Sequence, residues 1–231
     1  MFDGIKIDGG AFFRPDQHGK GNRVEFKGLA SFRSAIFSTD AQFTGAEFNG
    51  AADFGNAEFC GTAYFTSAQF AKEAIFKGVR FAGAASFEKT QFKGPTEFSE
   101  TAAQRDALFD CAVFSDKVSF CEAKFHVVLF REDTLEKAPD GSLLQFAQPV
   151  DLRGFTYERI RVAWRDLLDK LTPYDRQPYT QLETAIRATG EDRMANDVYH
   201  RRRIREMHLR WKAGWHQVRR SPFIQIGRAH V

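Results

Sequence analysis

Phenylalanine recurs along this chain at a beat that suits neither a helix nor one long strand. It falls at Phe26, Phe32, Phe37, Phe43, Phe48 and onward to Phe98, then from Phe109 to Phe125; the steps alternate six and five and close an eleven-residue unit. Two places before each Phe stands a small residue: Ala30, Ala35, Ala41, Ala46 and their successors, with Val79, Thr90, Thr96 and Val118 as the larger variants. The unit reads A-x-F-x-x-A-x-F-x-x-x. On an α-helix these steps would scatter the rings around the circumference, and the many linker glycines oppose helix. A-x-F has period two, so Ala and Phe share one face of a short extended segment while the residue between them points away. Those outward positions are mostly polar, as at Gln42, Glu47, Asp53, Glu58 and Arg80. The linkers carry turn residues, among them Thr44-Gly45, Gly55-Asn56 and Lys93-Gly94-Pro95.

Short inward-facing segments joined by regular corners predict a solenoid. One unit closes only two sides and leaves no width for opposed rings; two units give four sides and a filled interior. Rings two units apart then stack in columns, one running through Phe26, Phe48, Phe70, Phe92 and Phe114. Successive coils lie about 4.8 Å apart, and each buried ring contributes roughly 2–3 kcal/mol. One slot lacks its ring: Ala103 stands between Phe81 and Phe125 in its column. Interiors tolerate few voids, so either the coil pinches there or a neighbour leans in, with Gln104-Arg105-Asp106 at a surface corner. If the slot is vacant, filling it stabilises by roughly 1–2 kcal/mol.

Outside the repeat the pattern changes. Residues 1–25 break the beat and read as an N-terminal cap over an otherwise open parallel edge, with Ile5, Ile7, Phe12 and Phe13 as cover. The β-helix is expected over 26–157, irregular in its last coil: Phe130 falls one place early, 132–142 reads as a loop, and Pro149 to Phe155 looks like one more side. A helical tail follows over 158–220. Ile160, Ala163, Trp164, Leu167, Leu168 and Leu171 form a first stripe at helical spacing, and Tyr179, Leu182, Ala185, Ile186 and Ala188 form a second, stopped by Gly190. A third helix runs from about Glu191 to Val218. Residues 221–231 are expected to be unstructured, and 226–231, IGRAHV, reads as a translated sequencing adapter, so the native chain is expected to continue beyond Gln225.

The repeat resembles the pentapeptide-repeat family in its Phe-rich, eleven-residue variety, over about Val24 to Phe125. The resemblance implies a mainly β fold, a right-handed quadrilateral parallel β-helix, here with a C-terminal α-helical tail. It also implies little catalysis, and a DNA-mimicking role in some members. The hairpin of the second and third helices resembles, once only, a tetratricopeptide-like pair. Tails of this kind often follow pentapeptide repeats and lead into transmembrane helices.

Charge refines the picture. The net formal charge is +3, but acids and bases balance along the rod while the tail is basic. A DNA mimic needs a strongly negative rod, and here Lys27, Arg33, Lys77, Arg80, Lys93 and Lys124 offset the acids, so that reading is the weaker alternative and nucleic acid is not an expected partner. The basic run Arg201, Arg202, Arg203 and Arg205 is the leading interaction candidate, expected to be exposed on the helix face opposite Met194, Val198 and Tyr199. Trp211, Lys212, Trp215, Arg219 and Arg220 extend it into a patch suited to an anionic membrane surface, against the plainer reading of a solvated or packed helix face. His200, His208 and His216 recur every eight residues, rotating by about 80° each time, so no metal site is expected. Cys60, Cys111 and Cys121 show no CxxC spacing and point to a reducing, cytoplasmic setting without disulfides. The N-terminus has no signal-peptide pattern and no run spans a membrane. No nucleotide-loop, metalloprotease or nucleophile-elbow motif occurs, so neither catalysis nor a cofactor is expected. The function this reading favours is a non-catalytic scaffold for an unidentified protein partner, as the cytosolic part of a longer membrane-tethered chain.

Overall fold

The computed structural model describes residues 1–13, 23–130, 145–162 and 164–220. Its strands are mostly two residues long, because each side of the coil is only as long as one A-x-F step; Glu47–Phe48, Ala52–Asp53, Glu58–Phe59 and Ala63–Tyr64 are one full turn. All pairing among the described residues is parallel, and within the regular repeat it is in register two units apart, Phe48 with Phe70, Ala52 with Ala74, Phe59 with Phe81 and Ala63 with Ala85. The result is a four-sided β-solenoid of about five turns. Face 1 holds the strands of Phe26, Phe48, Phe70, Phe92 and Phe114; face 2 those of Ala30, Ala52, Ala74, Thr96, Val118 and Val150. Face 3 runs through Ile7, Phe37, Phe59 and Phe81, and face 4 through Ala11, Ala41, Ala63 and Ala85.

The expected columns are present. Centroids in the column Phe26–Phe48–Phe70–Phe92–Phe114 are 4.7, 4.7, 5.0 and 4.8 Å apart, with planes within 5°. The column from Phe32 to Phe120 keeps 4.9, 5.1, 4.8 and 5.1 Å, and that from Phe43 to Phe109 keeps 4.9, 5.0 and 5.0 Å. These last two columns interlock edge to face across the centre, Phe43 on Phe54 at 5.4 Å and 85° and Phe54 on Phe65 at 5.2 Å and 84°. Edge-to-face packing sets the positive ring edge on the negative ring face, and a buried small residue, most often Ala, beside the rings leaves room for them.

Alternate corners share one device. The amide of the small residue donates to the carbonyl of the preceding Phe, as from Ala46 to Phe43 and Ala68 to Phe65 at 3.0 and 2.9 Å. The residue before each small one takes positive φ, giving a run at every eleventh position from Ser34 through Gly45, Asn56, Ser67, Gly78, Lys89, Glu100 and Cys111 to Glu122. That is a type II turn, which requires the left-handed region at its third residue. At the other corners, backbone stacks on backbone: a Cβ on Gly83 would stand 2.3 Å from the Gly61 carbonyl oxygen. Two of the Thr substitutes at the small position earn their place through a hydroxyl: buried Thr90 and Thr101 each donate at 2.7 Å, to the carbonyls of Phe65 and Phe76.

Three differences from the sequence reading stand out. Residues 1–13 form a part-coil, not a separate cap: Lys6–Ile7 pairs with Ile36–Phe37, Ala11–Phe12 pairs with Ala41–Gln42, and Phe2 and Phe13 stack on Phe32 and Phe43 at 4.9 and 4.8 Å. Second, Ile160 is not in a helix. It lies in the strand Thr156–Arg161, which pairs with Lys124–Leu129 and satisfies backbone groups that an open edge would leave unpaired. The first helix, α1, is Trp164–Lys170. Third, the compact unit built around the solenoid extends to Pro178, and a second begins at Tyr179. Within the first unit the chain after α1 is tied to the last coil, the Thr172 amide donating to the Val150 carbonyl at 2.9 Å and the Lys170 ammonium to that of Ala147 at 3.2 Å. The side expected from Pro149 to Phe155 is present, with Val118 opposite Val150. The loop expected at 132–142 and the tail 221–231 lie outside the described residues.

At Ala103 the coil changes shape. Ala103 sits between Phe81 and Phe125 as expected, but the strand runs unbroken over Ala102–Leu108, so faces 3 and 4 merge where a corner should be. Gln104, Arg105 and Asp106 are exposed. Phe125 lies nearly parallel to Phe109 at 6.4 Å and 11°, where the equivalent pair earlier in the stack, Phe76 and Phe92, meets edge to face at 6.5 Å and 85°. Phe109 belongs to the coil of Ala103, so the Phe125 ring is turned over the slot its column lacks.

The second unit contains the helical hairpin from Tyr179 onward. Helix α2 is Gln177–Ala188 and α3 is Asp192–Arg220. Gly190, with φ of 81°, closes the turn, and Arg187 ties the two helices by donating to Asp192 at 3.2 Å and Asn196 at 3.3 Å. Leu182, Ala195 and Val198 are buried.

Candidate interaction surfaces

Because strands pair two units apart, outward residues fall into vertical rows, one per face. Face 1 presents Glu25, Glu47, Gln69, Gln91 and Val113. Face 2 presents Ser31, Asp53, Ile75, Glu97, Ser119 and Asp151. Face 3 presents Lys6, Ile36, Glu58, Arg80, Ala102 and Lys124. Face 4 differs from all of them: its row is Phe12, Gln42, Tyr64, Ser86, Leu108 and Leu129, none of them a carboxylate, Lys or Arg, and it meets its first cation only in the last coil, at exposed Arg161. Phe12 is 64% exposed at one end of that row. Elsewhere, exposed ion pairs decorate the rod, Arg33 with Asp53 at 3.0 Å and Lys77 with Glu100 at 3.3 Å, and pairs of this kind contribute little. The face 4 row was missed in the sequence because its members stand far apart in the chain, although taking every second unit's outward residue would have found it.

Face 3 carries a pit of about 650 Å³ above the small Ala102 side chain. Its walls mix signs, with Glu58, Glu100 and Glu122 against Arg80 and Lys124. Such a pit offers hydrogen-bonding and charged groups, and its Thr101 hydroxyl is committed to the Phe76 carbonyl. Among the described residues no group of three His, Cys, Asp or Glu could hold a metal ion. No disulfide joins Cys60, Cys111 and Cys121, and burial, followed by Asp151, pushes the Cys121 thiol above its ordinary value, away from the thiolate that reactivity needs.

The basic helix is only partly as expected. Arg203, Trp211 and Lys212 are exposed, Arg201 and Arg205 half-buried, and Arg202 is buried at 4% exposure. Arg202 follows Ala195 and Val198 at i, i+3, i+7 spacing, which puts it on the stripe those residues bury. Its guanidinium carbon lies 5.2 Å from the Tyr199 ring centroid, and its Nε and Nη1 have no hydrogen-bond partner. The four arginines therefore do not make one exposed face. Arg203 shares a long contact of 3.4 Å with Glu206. Trp215, Arg219 and Arg220 belong to α3, but their side chains lie outside the described residues. No helix among the described residues is long and apolar enough to cross a membrane.

A family model described as "Pentapeptide repeats (9 copies)" matches residues 2–58 and again residues 43–91. The match begins at residue 2, in agreement with the part-coil of residues 1–13. No match was found among curated proteins or among solved structures.

Proposed function

The chain belongs to the pentapeptide-repeat family, whose members are generally non-catalytic repeat scaffolds, and we propose that this one is a scaffold that binds a protein partner along face 4. The observation that carries the reading is the stretch Phe12, Gln42, Tyr64, Ser86 and Leu108, uncharged over coils in which the other three faces all carry charge and ending at Arg161 in the last coil. Protein interfaces are depleted of charge at their centres and enriched in aromatic residues. A row with one outward residue per coil also offers an extended partner contacts in line, at Phe12, Gln42, Tyr64 and Leu108, with Ser86 buried among them. The filled interior supplies rigidity, so the row is presented with little ordering cost on binding.

The test is site-specific photocrosslinking in cells, with a benzophenone amino acid replacing Tyr64 on face 4 or Gln69 on face 1. A discrete adduct from position 64 that is absent from position 69, and that disappears when Ser86→Arg is added, supports the reading. Equal adducts from both faces, or none from position 64, would contradict it.

A further inference from the structure

Helix α3 has a second apolar stripe, on the side away from its buried one. Ala195, Val198 and Arg202 are buried along one line. Ile204, Met207 and Trp211 stand nine residues beyond each of them in turn, and nine residues are two and a half helical turns, a rotation of 180°. The three are exposed by 51%, 59% and 64%. This stripe is flanked by base on both edges. Arg203 and Arg210 border it on one side, Arg201 and Lys212 on the other, while Glu206 is the one carboxylate between residues 201 and 212. Glu206 is itself half-buried and in contact with Arg203.

From this arrangement we infer that α3 is a peripheral membrane-binding helix that lies in the surface of an anionic bilayer. Over Ile204–Trp211, though not over the whole of α3, an apolar stripe ended by Trp and edged by Arg and Lys lets the helix sink one side to the level of the acyl boundary and leave its cations among lipid phosphates. Charge complementarity selects the occupant: basic residues on both edges repel a basic partner and attract an anionic one. The apolar stripe then separates a bilayer from a nucleic acid, because phosphate backbones reward the arginines but offer Ile204 and Met207 nothing. Long Arg and Lys side chains bury their stems beside the stripe and keep their heads at the phosphates. The assignment is independent of face 4, and each can fail without the other.

The experiment is vesicle flotation with the full 231-residue chain, using phosphatidylcholine vesicles with and without about 30% phosphatidylserine, a content giving a surface potential of tens of millivolts. The parent is expected to float with the anionic vesicles only, and to be released by 0.5 M salt. Arg203→Glu/Arg210→Glu should lower partitioning at least about tenfold, and Ile204→Ser/Met207→Ser should lower it by a similar factor with the charge unchanged. All four positions are exposed or flank the exposed stripe, and circular dichroism checks that both variants keep the parent's helix content. Absence of flotation would overturn the inference. So would flotation unaffected by Ile204→Ser/Met207→Ser, which would mean charge alone, or salt-sensitive binding to duplex DNA in place of vesicles. A stable dimer that the same variant dissociates, with no flotation, would assign the stripe to a second copy and also overturn it.

Discussion

Placing a ring at position 103 tests how this interior deals with a missing one. In the regular stack, adjoining columns meet edge to face, as Phe81 and Phe87 do at 6.0 Å and 85°. Ala103 supplies no such contact to Phe109; instead Phe125, one coil further on, lies almost parallel to Phe109 at 6.4 Å and meets Phe155 edge-on at 5.4 Å. The slot is thus taken from the coil above. Below it, the Phe59–Phe81 pair is more tilted than its predecessor in the column, 17° against 3°, consistent with slack at that point. Ala103→Phe should therefore overpack the site and destabilise by about 1–3 kcal/mol. Phe125→Ala should cost about 3 kcal/mol by cavity formation. In the double variant the new ring takes the space that Phe125 vacates, and the two effects should offset each other by at least about 1 kcal/mol. Urea unfolding of the four proteins at equal slope measures that coupling. Stabilisation by Ala103→Phe alone, with no coupling to Phe125, would show that the slot is empty and refute the reasoning.

Other outcomes follow from the corners and the small positions. Lys89 holds φ of 57° at a corner where other coils use Gly45 and Gly78; Lys89→Gly should stabilise by about 0.5–1 kcal/mol, the relief of left-handed strain exceeding the entropy that Gly adds to the unfolded chain, read as a shift in urea midpoint. Gly83→Ala should cost about 2 kcal/mol, since its Cβ would stand 2.3 Å from a backbone oxygen that cannot swing aside; thermal unfolding measures it. Thr90→Val should cost about 1 kcal/mol and no more, because the Phe65 carbonyl that loses the hydroxyl keeps the Ala68 amide at 2.9 Å; a loss above about 3 kcal/mol would mean that the hydroxyl has a further role.

The core was legible in the sequence because one residue type fills one slot many times, and a spacing of six and five has few structural meanings. The first part-coil was hidden for two reasons. Ile7 takes a Phe slot, so counting Phe alone misses the steps from Phe2 to Ile7 to Phe13, five and six again; and the step from Phe13 to Phe26 is eight residues longer than the beat allows. Ile160 looked helical because its spacing to Trp164 and Leu167 suits a helix, yet an open edge on the strand Lys124–Leu129 rewards strand pairing more. Arg202 shows the limit of reading a charge run as a face. Four arginines in five residues cannot share one side of a helix, and the spacing from Ala195 and Val198 already placed one of them on the buried stripe. The uncharged row on face 4 needed the coil length before it could be seen, since its members are two repeat units apart.

The most direct test of the account is which residues are neighbours across coils. In a protein with Cys60, Cys111 and Cys121 replaced by Ser, Gln69→Cys is combined either with Gln91→Cys or with Arg80→Cys. Gln69 and Gln91 are Cα partners on face 1, about 4.8 Å apart by strand spacing and so within the Cα range of about 4.4–6.8 Å that a disulfide spans, whereas Arg80 points out from face 3. Mild oxidation should cross-link the 69/91 pair rapidly in the native state and leave the 69/80 pair reduced until the protein is unfolded. Rapid native cross-linking of 69/80 with none of 69/91 would mean that one eleven-residue unit closes a coil, and would contradict the four-sided solenoid on which the four faces described above depend.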